Sequence, residues 1–276
     1  MTRFVDVHVH PPRSLTVASG FGPYLPHGGT GSGPETVEEL ADHYRQRGGI
    51  ALVHAFDAGS VVGSVALSNA RLAAAIEPHS DVLHGLGCVD PHRGEAAVMA
   101  IHDALRLGLR GLFFHPPAQR FDPASRRVAS MWKMAEDLRF PVVVHCGTTM
   151  MGAGRPGGAG ISLEVADPMR IDRVAATHPD LQIVMAGVTP PWEEAAIAVA
   201  AHKGNVHLAL SGRRPDRMGA GAREAVLGPL ASRAMCATGY PLGDPDDWLA
   251  GWAGLSPPGD VDAAVRHGNA ESLFGV

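Results

Sequence analysis

The stretch Phe4-Val5-Asp6-Val7-His8-Val9-His10-Pro11-Pro12 reads as a β-strand stopped by two prolines. Apolar residues alternate with polar ones, as on a pleated surface. Residues two apart in a strand share a face, so His8 and His10 project together at the strand's end. Two imidazoles roughly 6–7 Å apart along one face can both reach a single divalent metal. A lone His-x-His also occurs on ordinary half-polar strands, so its meaning depends on the rest of the chain.

The rest of the chain alternates helices and strands. Helical periodicity marks Glu35–Arg47, with Val37, Leu40 and Tyr44 on one face, and an apolar run Ile50–Ala55 comes next. Helix Ala66–Glu77, strand Val82–Val89, helix Glu95–Leu107, strand Gly111–Phe114, helix Arg126–Leu138 and strand Pro141–His145 continue the pattern. The second half adds helix Arg170–Thr177, strand Gln182–Ala186, helix Trp192–Ala201, strand Val206–Leu210, helix Ala222–Leu230 and strand Ala234–Ala237. Helices at about Pro245–Leu255 and Asp260–His267 close the chain. Eight βα units in 276 residues predict an α/β fold, a single TIM-like (β/α)8 barrel domain over residues 1–276. No glycine fingerprint for a dinucleotide succeeds the first strand, which weakens an open Rossmann sheet. Two Gly-rich loops, Leu15–Pro34 and Gly147–Gly160, come after strands and are expected to form a lid over one barrel face.

Composition narrows the function classes. Hydrophobic residues make up 45% and charged residues 18%, with a net charge of -5 and no basic block, so neither nucleic acid nor an anionic membrane is an expected partner. No apolar run approaches the roughly 18 residues of a membrane span, and no signal pattern opens the chain. Three cysteines, Cys88, Cys146 and Cys236, sit in apolar runs, which points to reduced thiols and a cytoplasmic location. The expected partner is a small-molecule substrate, with a homo-oligomer also open.

In a barrel of this kind, sites are built at strand C-terminal ends. Those ends carry His8 and His10 (first strand), His54 (second), Cys88-Val89-Asp90 (third), His115 (fourth) and His145 (fifth). The sixth, seventh and eighth end in Gly187, Ser211 and Gly239. The ligand-type residues gather on one half of the ring.

The opening Asp6–His10, the His115-Pro116-Pro117 turn, the run PVVVHCGTT (Pro141–Thr149), the run HPDLQIVMA (His178–Ala186) and the closing GNAESLFG (Gly268–Gly275) together resemble the amidohydrolase superfamily. The decarboxylase-like, amidohydrolase-related branch is the nearest in pattern. That resemblance implies a distorted (β/α)8 barrel with a divalent metal, most often zinc with iron or manganese as alternatives. It also implies hydrolysis or non-oxidative decarboxylation of small, often cyclic, acids. Position by position, it makes His8, His10 and His145 metal ligands. Three departures accompany it. Gly187 stands where the family usually has a histidine, and Gly239 where it usually has an aspartate, in the stretch Thr238-Gly239-Tyr240-Pro241. Phe113 stands where close relatives tend to carry a lysine.

Glycine can neither bind metal nor move a proton, so the acid/base set must come from elsewhere. His115 is the first candidate, with a turn-capping role as the plainer alternative. His54 is the second, with a backbone-bonded buried histidine as the plainer alternative. Asp57, Asp90, Glu164, Asp167 and Asp244 read as turn, cap or solvated carboxylates before they read as ligands. Cys146 should face away from His145. Phe21, Phe113, Met150 and Ser211 are expected to line a mostly apolar pocket, with Tyr24 and Met151 adding contacts. The leading expectation is a metal-dependent enzyme using Lewis-acid chemistry on a small carbonyl-containing molecule. A barrel that kept its fold and lost its chemistry, and an iron-dependent oxygenase on three imidazoles, stay open beside it.

Overall fold

A computed structural model describes residues 3–16, 33–63 and 67–276. Among these, eight parallel strands succeed one another round a ring: β1 (Phe4–Val9), β2 (Gly49–His54), β3 (Leu83–Leu86), β4 (Leu112–Phe114), β5 (Val142–His145), β6 (Ile183–Ala186), β7 (Val206–Ala209) and β8 (Ala234–Met235). Strands β1 to β3 pair in order, as do β4 to β8. The seam between β3 and β4 is joined by a Gly87–Leu112 bridge. The seam between β8 and β1 is closed by a Val9–Tyr240 bridge and by the Val7 N–H donating to the Cys236 carbonyl at 3.1 Å. The expected (β/α)8 barrel is what the chain forms.

Each strand leads to a helix packed outside: α1 (Val37–Arg47), α2 (Asn69–Ile76), α3 (Glu95–Arg106), α4 (Ala129–Asp137), α5 (Pro168–Thr177), α6 (Glu193–His202), α7 (Ala220–Leu227) and α8 (Pro245–Ala253). Their starts and stops obey local chemistry. Thr36 caps α1 by accepting from the Glu39 N–H, and Gly48, in the left-handed region, ends it. Strand β3 is shorter than the sequence pattern predicts. The Cys88 N–H donates to the Asn69 side chain at 2.8 Å, which takes the backbone out of the ladder. No described helix is long and apolar enough to cross a membrane. All three cysteines are buried and unpaired.

Two apolar layers result. Residues such as Phe4, Leu40, Val53, Phe114, Trp132, Val144 and Trp252 fill the space between strands and helices. Val5, Val7, Leu52, Leu86, Phe113, Val143, Val184, Ala209 and Met235 fill the barrel interior. A last helix, α9 (Asn269–Phe274), adds Ala270 and Phe274 to that interior cluster. Sequence periodicity does not mark α9, because a six-residue helix carries less than two turns of pattern.

One irregularity in β1 sets up the site. Asp6 pairs with Ala51 and Val9 with Val53, so two residues, Val7 and His8, oppose the single Leu52. This bulge reverses the side-chain alternation. Val5 and Val7 point into the barrel while Asp6 points out towards α1. A regular strand would send His8 outward with Asp6. The extra residue turns His8 inward, and its ring lies 5.3 Å from that of Phe113.

Candidate metal centre

Asp6 anchors the strand that carries the histidine pair. Its carboxylate accepts from Tyr44 Oη at 2.8 Å, Thr238 Oγ1 at 2.5 Å, the Thr238 N–H at 3.0 Å and the His8 N–H at 3.1 Å. Burial outweighs these four bonds and raises its pKa to about 6. The arrangement ties β1 to α1 and β8 directly beneath His8.

Five histidines stand at the barrel mouth. His8, His10 and His54 bring ligand atoms within 4.8 Å of one another, and these three could hold a metal ion. Hydrogen bonds set the tautomers of His54 and His10. The Ala55 carbonyl can only accept, so His54 Nδ1, 3.2 Å away, carries the proton and leaves a lone pair on Nε2. His10 Nδ1, 3.1 Å from that lone pair, donates to it in the metal-free protein, and a cation between the two rings would require that proton on His10 Nε2 instead. His8 Nδ1 lies 2.9 Å from Ser211 Oγ, which also accepts the Gly187 N–H at 2.9 Å. His8 Nε2 is buried and has no hydrogen-bond partner. An orphaned imidazole nitrogen of this kind carries a free-energy cost of about 1–3 kcal/mol unless something fills it.

The other two histidines form a stack. His115 and His145 lie with ring centroids 4.1 Å apart and planes 5° from parallel. His115 Nδ1 accepts from the Ala118 N–H at 3.2 Å, which places its proton on Nε2. His145 Nε2 is 3.2 Å from the Thr148 carbonyl. All five rings are held neutral. Burial is the main cause throughout, and it lowers His10 and His145 to about 4 and His8, His54 and His115 well below the usual histidine value. The other imidazoles of the cluster add to the lowering for His8, His10, His54 and His115. Neutral imidazole is the form that binds a metal. The donor chemistry and the orphaned His8 Nε2 both fit a divalent cation.

The structure gathers His8, His10 and His54 as the tight group, whereas the sequence pattern grouped His145 with the first-strand pair. His145 sits beside them, stacked on His115. Ser211 supports His8 directly, a role that strand position suggested only as pocket lining. Phe113 lies flat under His54, with centroids 4.0 Å apart and planes 14° from parallel. Met150 is 62% exposed, while its neighbour Met151 packs near Ala58 and Ala118. Phe21 and Tyr24, with most of the loop Leu15–Pro34, lie outside the described residues. The thiol of Cys146 is buried in the helix-facing layer, where burial pushes its pKa up.

The acidic candidates are engaged elsewhere. Asp57 accepts from the Gly59 N–H, and Asp90 from the Ser60 and His92 N–H groups. Asp167 and Asp244 cap α5 and α8, and Glu164 pairs with Arg170. Each reads as a turn or cap residue or a surface ion pair, as its sequence context predicts.

The two glycines at the far strand ends have positive φ, +81° at Gly187 and +69° at Gly239. A Cβ on Gly187 would lie 3.0 Å from His145 Cε1 and 3.1 Å from its Nδ1. The His145 ring therefore occupies the space that a side chain at the end of β6 would need.

Comparison with known proteins agrees with this architecture. A search of curated protein sequences finds no match. Among solved structures, an uncharacterised TIM-barrel protein from Bordetella bronchiseptica is similar at TM-score 0.77 and 22% identity, over 99% of this chain and 98% of that one. A 5-carboxyvanillate decarboxylase from Sphingomonas paucimobilis is similar at TM-score 0.72 and 17% identity, over the whole of both chains. A dihydroxybenzoic acid decarboxylase from Polaromonas sp. JS666, with bound manganese and the inhibitor 2-nitroresorcinol, is similar at TM-score 0.72 and 15% identity, over 100% of this chain and 97% of that one. These likenesses concern the fold. The amidohydrolase family profile matches residues 5–276, from the second residue of β1 to the end of the chain. A match over nearly the whole chain places it in the amidohydrolase family.

Proposed function

We propose that this protein is a metal-dependent enzyme that removes the carboxyl group of a small cyclic acid without oxidising it. The observation that carries the reading is the unpartnered, buried Nε2 of His8, meeting ligand atoms of His10 and His54 beside the His115–His145 stack. A divalent metal held there would supply a Lewis acid for substrate oxygen atoms, and three neutral imidazoles with an open position suit zinc, with iron or manganese as alternatives.

The chain's own residues favour decarboxylation over hydrolysis. Hydrolysis calls for a general base at the attacking water, commonly a carboxylate. The carboxylates near the strand ends are occupied in caps, turns and the Asp6 anchor. Loss of carbon dioxide instead breaks the bond to the carboxyl carbon and leaves the electron pair on the substrate. That carbon then takes one proton from solvent; neutral His115, whose only ring proton is on Nε2 because its Nδ1 accepts the Ala118 N–H, is a hydrogen-bond donor to the substrate and not the acid. Met151 in the Gly147–Gly160 loop, packed near Ala58 and Ala118, offers a ring-shaped substrate apolar surface. Several similar structures are named as decarboxylases of hydroxylated benzoic acids, so these acids are the first substrates to try.

The test is carbon dioxide release from a panel of hydroxybenzoates and related cyclic acids by zinc- or manganese-loaded protein. Release that disappears on chelation and in His8→Ala is the expected result. Fully loaded protein that instead cleaves esters or lactones of the same rings, with no carbon dioxide, would exclude decarboxylation. Protein that takes up no metal at all would remove the whole reading.

A further inference from the structure

We infer that Gln119 is the positioning residue for His115, the side chain that fixes where the His115 ring stands and keeps its proton on Nε2. The inference rests on the reading of His115 as a hydrogen-bond donor to the substrate and names the group that makes it one.

The run His115-Pro116-Pro117-Ala118-Gln119 has the chemistry for this task. Prolines at 116 and 117 carry no N–H, so the first backbone donor after His115 is that of Ala118. It donates to His115 Nδ1 at 3.2 Å, so that the imidazole caps the short turn Pro116–Gln119. The Gln119 N–H donates to the His115 carbonyl at 2.9 Å, and Gln119 Oε1 accepts the His115 N–H at 2.9 Å. The ring, the carbonyl and the N–H of His115 are thus all held within four residues, the last two by Gln119. Held in this way, the ring lies parallel to His145.

The same side chain reaches two other strand ends. It is fully buried. Its Nε2 donates to the Asp57 carbonyl beyond β2 at 2.7 Å and to the Val89 carbonyl beyond β3 at 2.9 Å, with Cys88 Sγ 3.4 Å away. The Gln119 carbonyl accepts from His92 Nε2 at 2.7 Å. Two amide protons meet two carbonyls and the amide oxygen meets an N–H, so the amide has one orientation. Few side chains can replace it. An ionised carboxylate would set an oxygen against two carbonyls. An apolar side chain would leave three backbone groups unpaired, and asparagine is one methylene short. The loops beyond β2, β3 and β4 are therefore joined through one amide, and His115 is placed relative to all three.

Gln119→Met keeps the length of the side chain and removes the amide. The readout is the ring-nitrogen NMR signals of His115 in zinc-loaded protein with isotope-labelled histidine, assigned by their absence from His115→Gln. The wild type should show one protonated and one unprotonated ring nitrogen. Q119M should take up zinc as the wild type does, yet show His115 averaged between tautomers. Its kcat/KM for carbon dioxide release from the best cyclic acid should fall about 10–100-fold, with no further fall when the substitution is made in H115Q. Unchanged His115 signals in Q119M, or averaged signals already in the wild type, would overturn the inference. Loss of zinc in Q119M, or losses that add in the double variant, would also overturn it, because Gln119 would then support the scaffold and not His115.

If Q119M does not fold, Gln119→Glu takes its place. While protonated, its carboxyl accepts the His115 N–H and donates to one carbonyl; once ionised it can donate to neither. His115 should show a single tautomer before the carboxyl ionises and the averaged pair afterwards, with ionisation followed by the carboxyl infrared band. The same His115 spectrum in both states would overturn the inference. Wild-type protein that takes up no zinc, or releases no carbon dioxide, overturns the functional reading instead, and the His115 spectra of the metal-free proteins still judge the role of Gln119.

Discussion

Strands β1, β2, β4 and β5 lead into five histidines, whereas β6, β7 and β8 lead into Gly187, Ser211 and Gly239. On the first side, rings fill the mouth, stack on one another and lean on Phe113. On the second side the residues are small, and two have a backbone conformation that favours glycine. The contrast separates two tasks. One side supplies nitrogen donors. The other supplies space and a single supporting hydroxyl. Burial, aided by the mutual repulsion of clustered imidazoles, keeps the histidine side neutral.

The contrast can be broken most severely at its centre. His8→Ala removes the orphaned donor, and the variant is expected to retain no metal after desalting where the wild type retains one equivalent. Phe113→Ala removes the plate under His54 and a filled position of the barrel interior. We expect a loss of roughly 3–5 kcal/mol in stability, measured by urea unfolding, with metal affinity falling too. Asp6→Asn replaces an oxygen acceptor with a donor among four inward-pointing donors. It should cost on the order of 3 kcal/mol, read from the same unfolding curves. Ser211→Ala touches only the sparse side. It removes the partner of His8 Nδ1 and should weaken zinc binding about 10–100-fold while shifting stability far less, by competition titration.

A gentler probe is pH. His10 and His145 are lowered to about 4, and so is His207 of β7, where burial is again the main cause. A histidine with a depressed folded-state pKa binds protons more readily when unfolded. The metal-free protein should therefore lose stability progressively as pH falls from about 6.5 towards 4, the several histidines outweighing the one carboxyl of Asp6, whose raised pKa of about 6 acts in the opposite sense. His207→Gln should remove part of that slope without changing zinc binding. A flat profile from about pH 7 to 4 would show that the rings are not buried as the packing requires.

Much of this architecture is legible in the sequence. The eight βα units, the gathering of histidines on one half of the ring and the blank positions at Gly187 and Gly239 are read from apolar runs and their last residues. The division of labour among the histidines is not. His54 and His145 both end strands and look equivalent in sequence. What distinguishes them is which ring nitrogen meets a backbone carbonyl, Nδ1 in His54 and Nε2 in His145, a flat ring at Phe113 and open space over Gly187, and the last two are contacts between distant segments. Ser211 is visible as a strand-end residue, but its reach across the barrel to His8 is not. Asp6 gives no signal at all, because strict alternation places it on the same face as His8.

The bulge in β1 works as a phase shifter, letting one short segment address two compartments. Asp6 speaks to the scaffold and His8, two positions later, to the chemistry. Were the same residues paired without the slip, both imidazoles would swing into the helix layer, and the centre would be erased with every donor still in the chain. A designer wishing to install paired histidines in another barrel would therefore need to graft the offset in register along with the side chains.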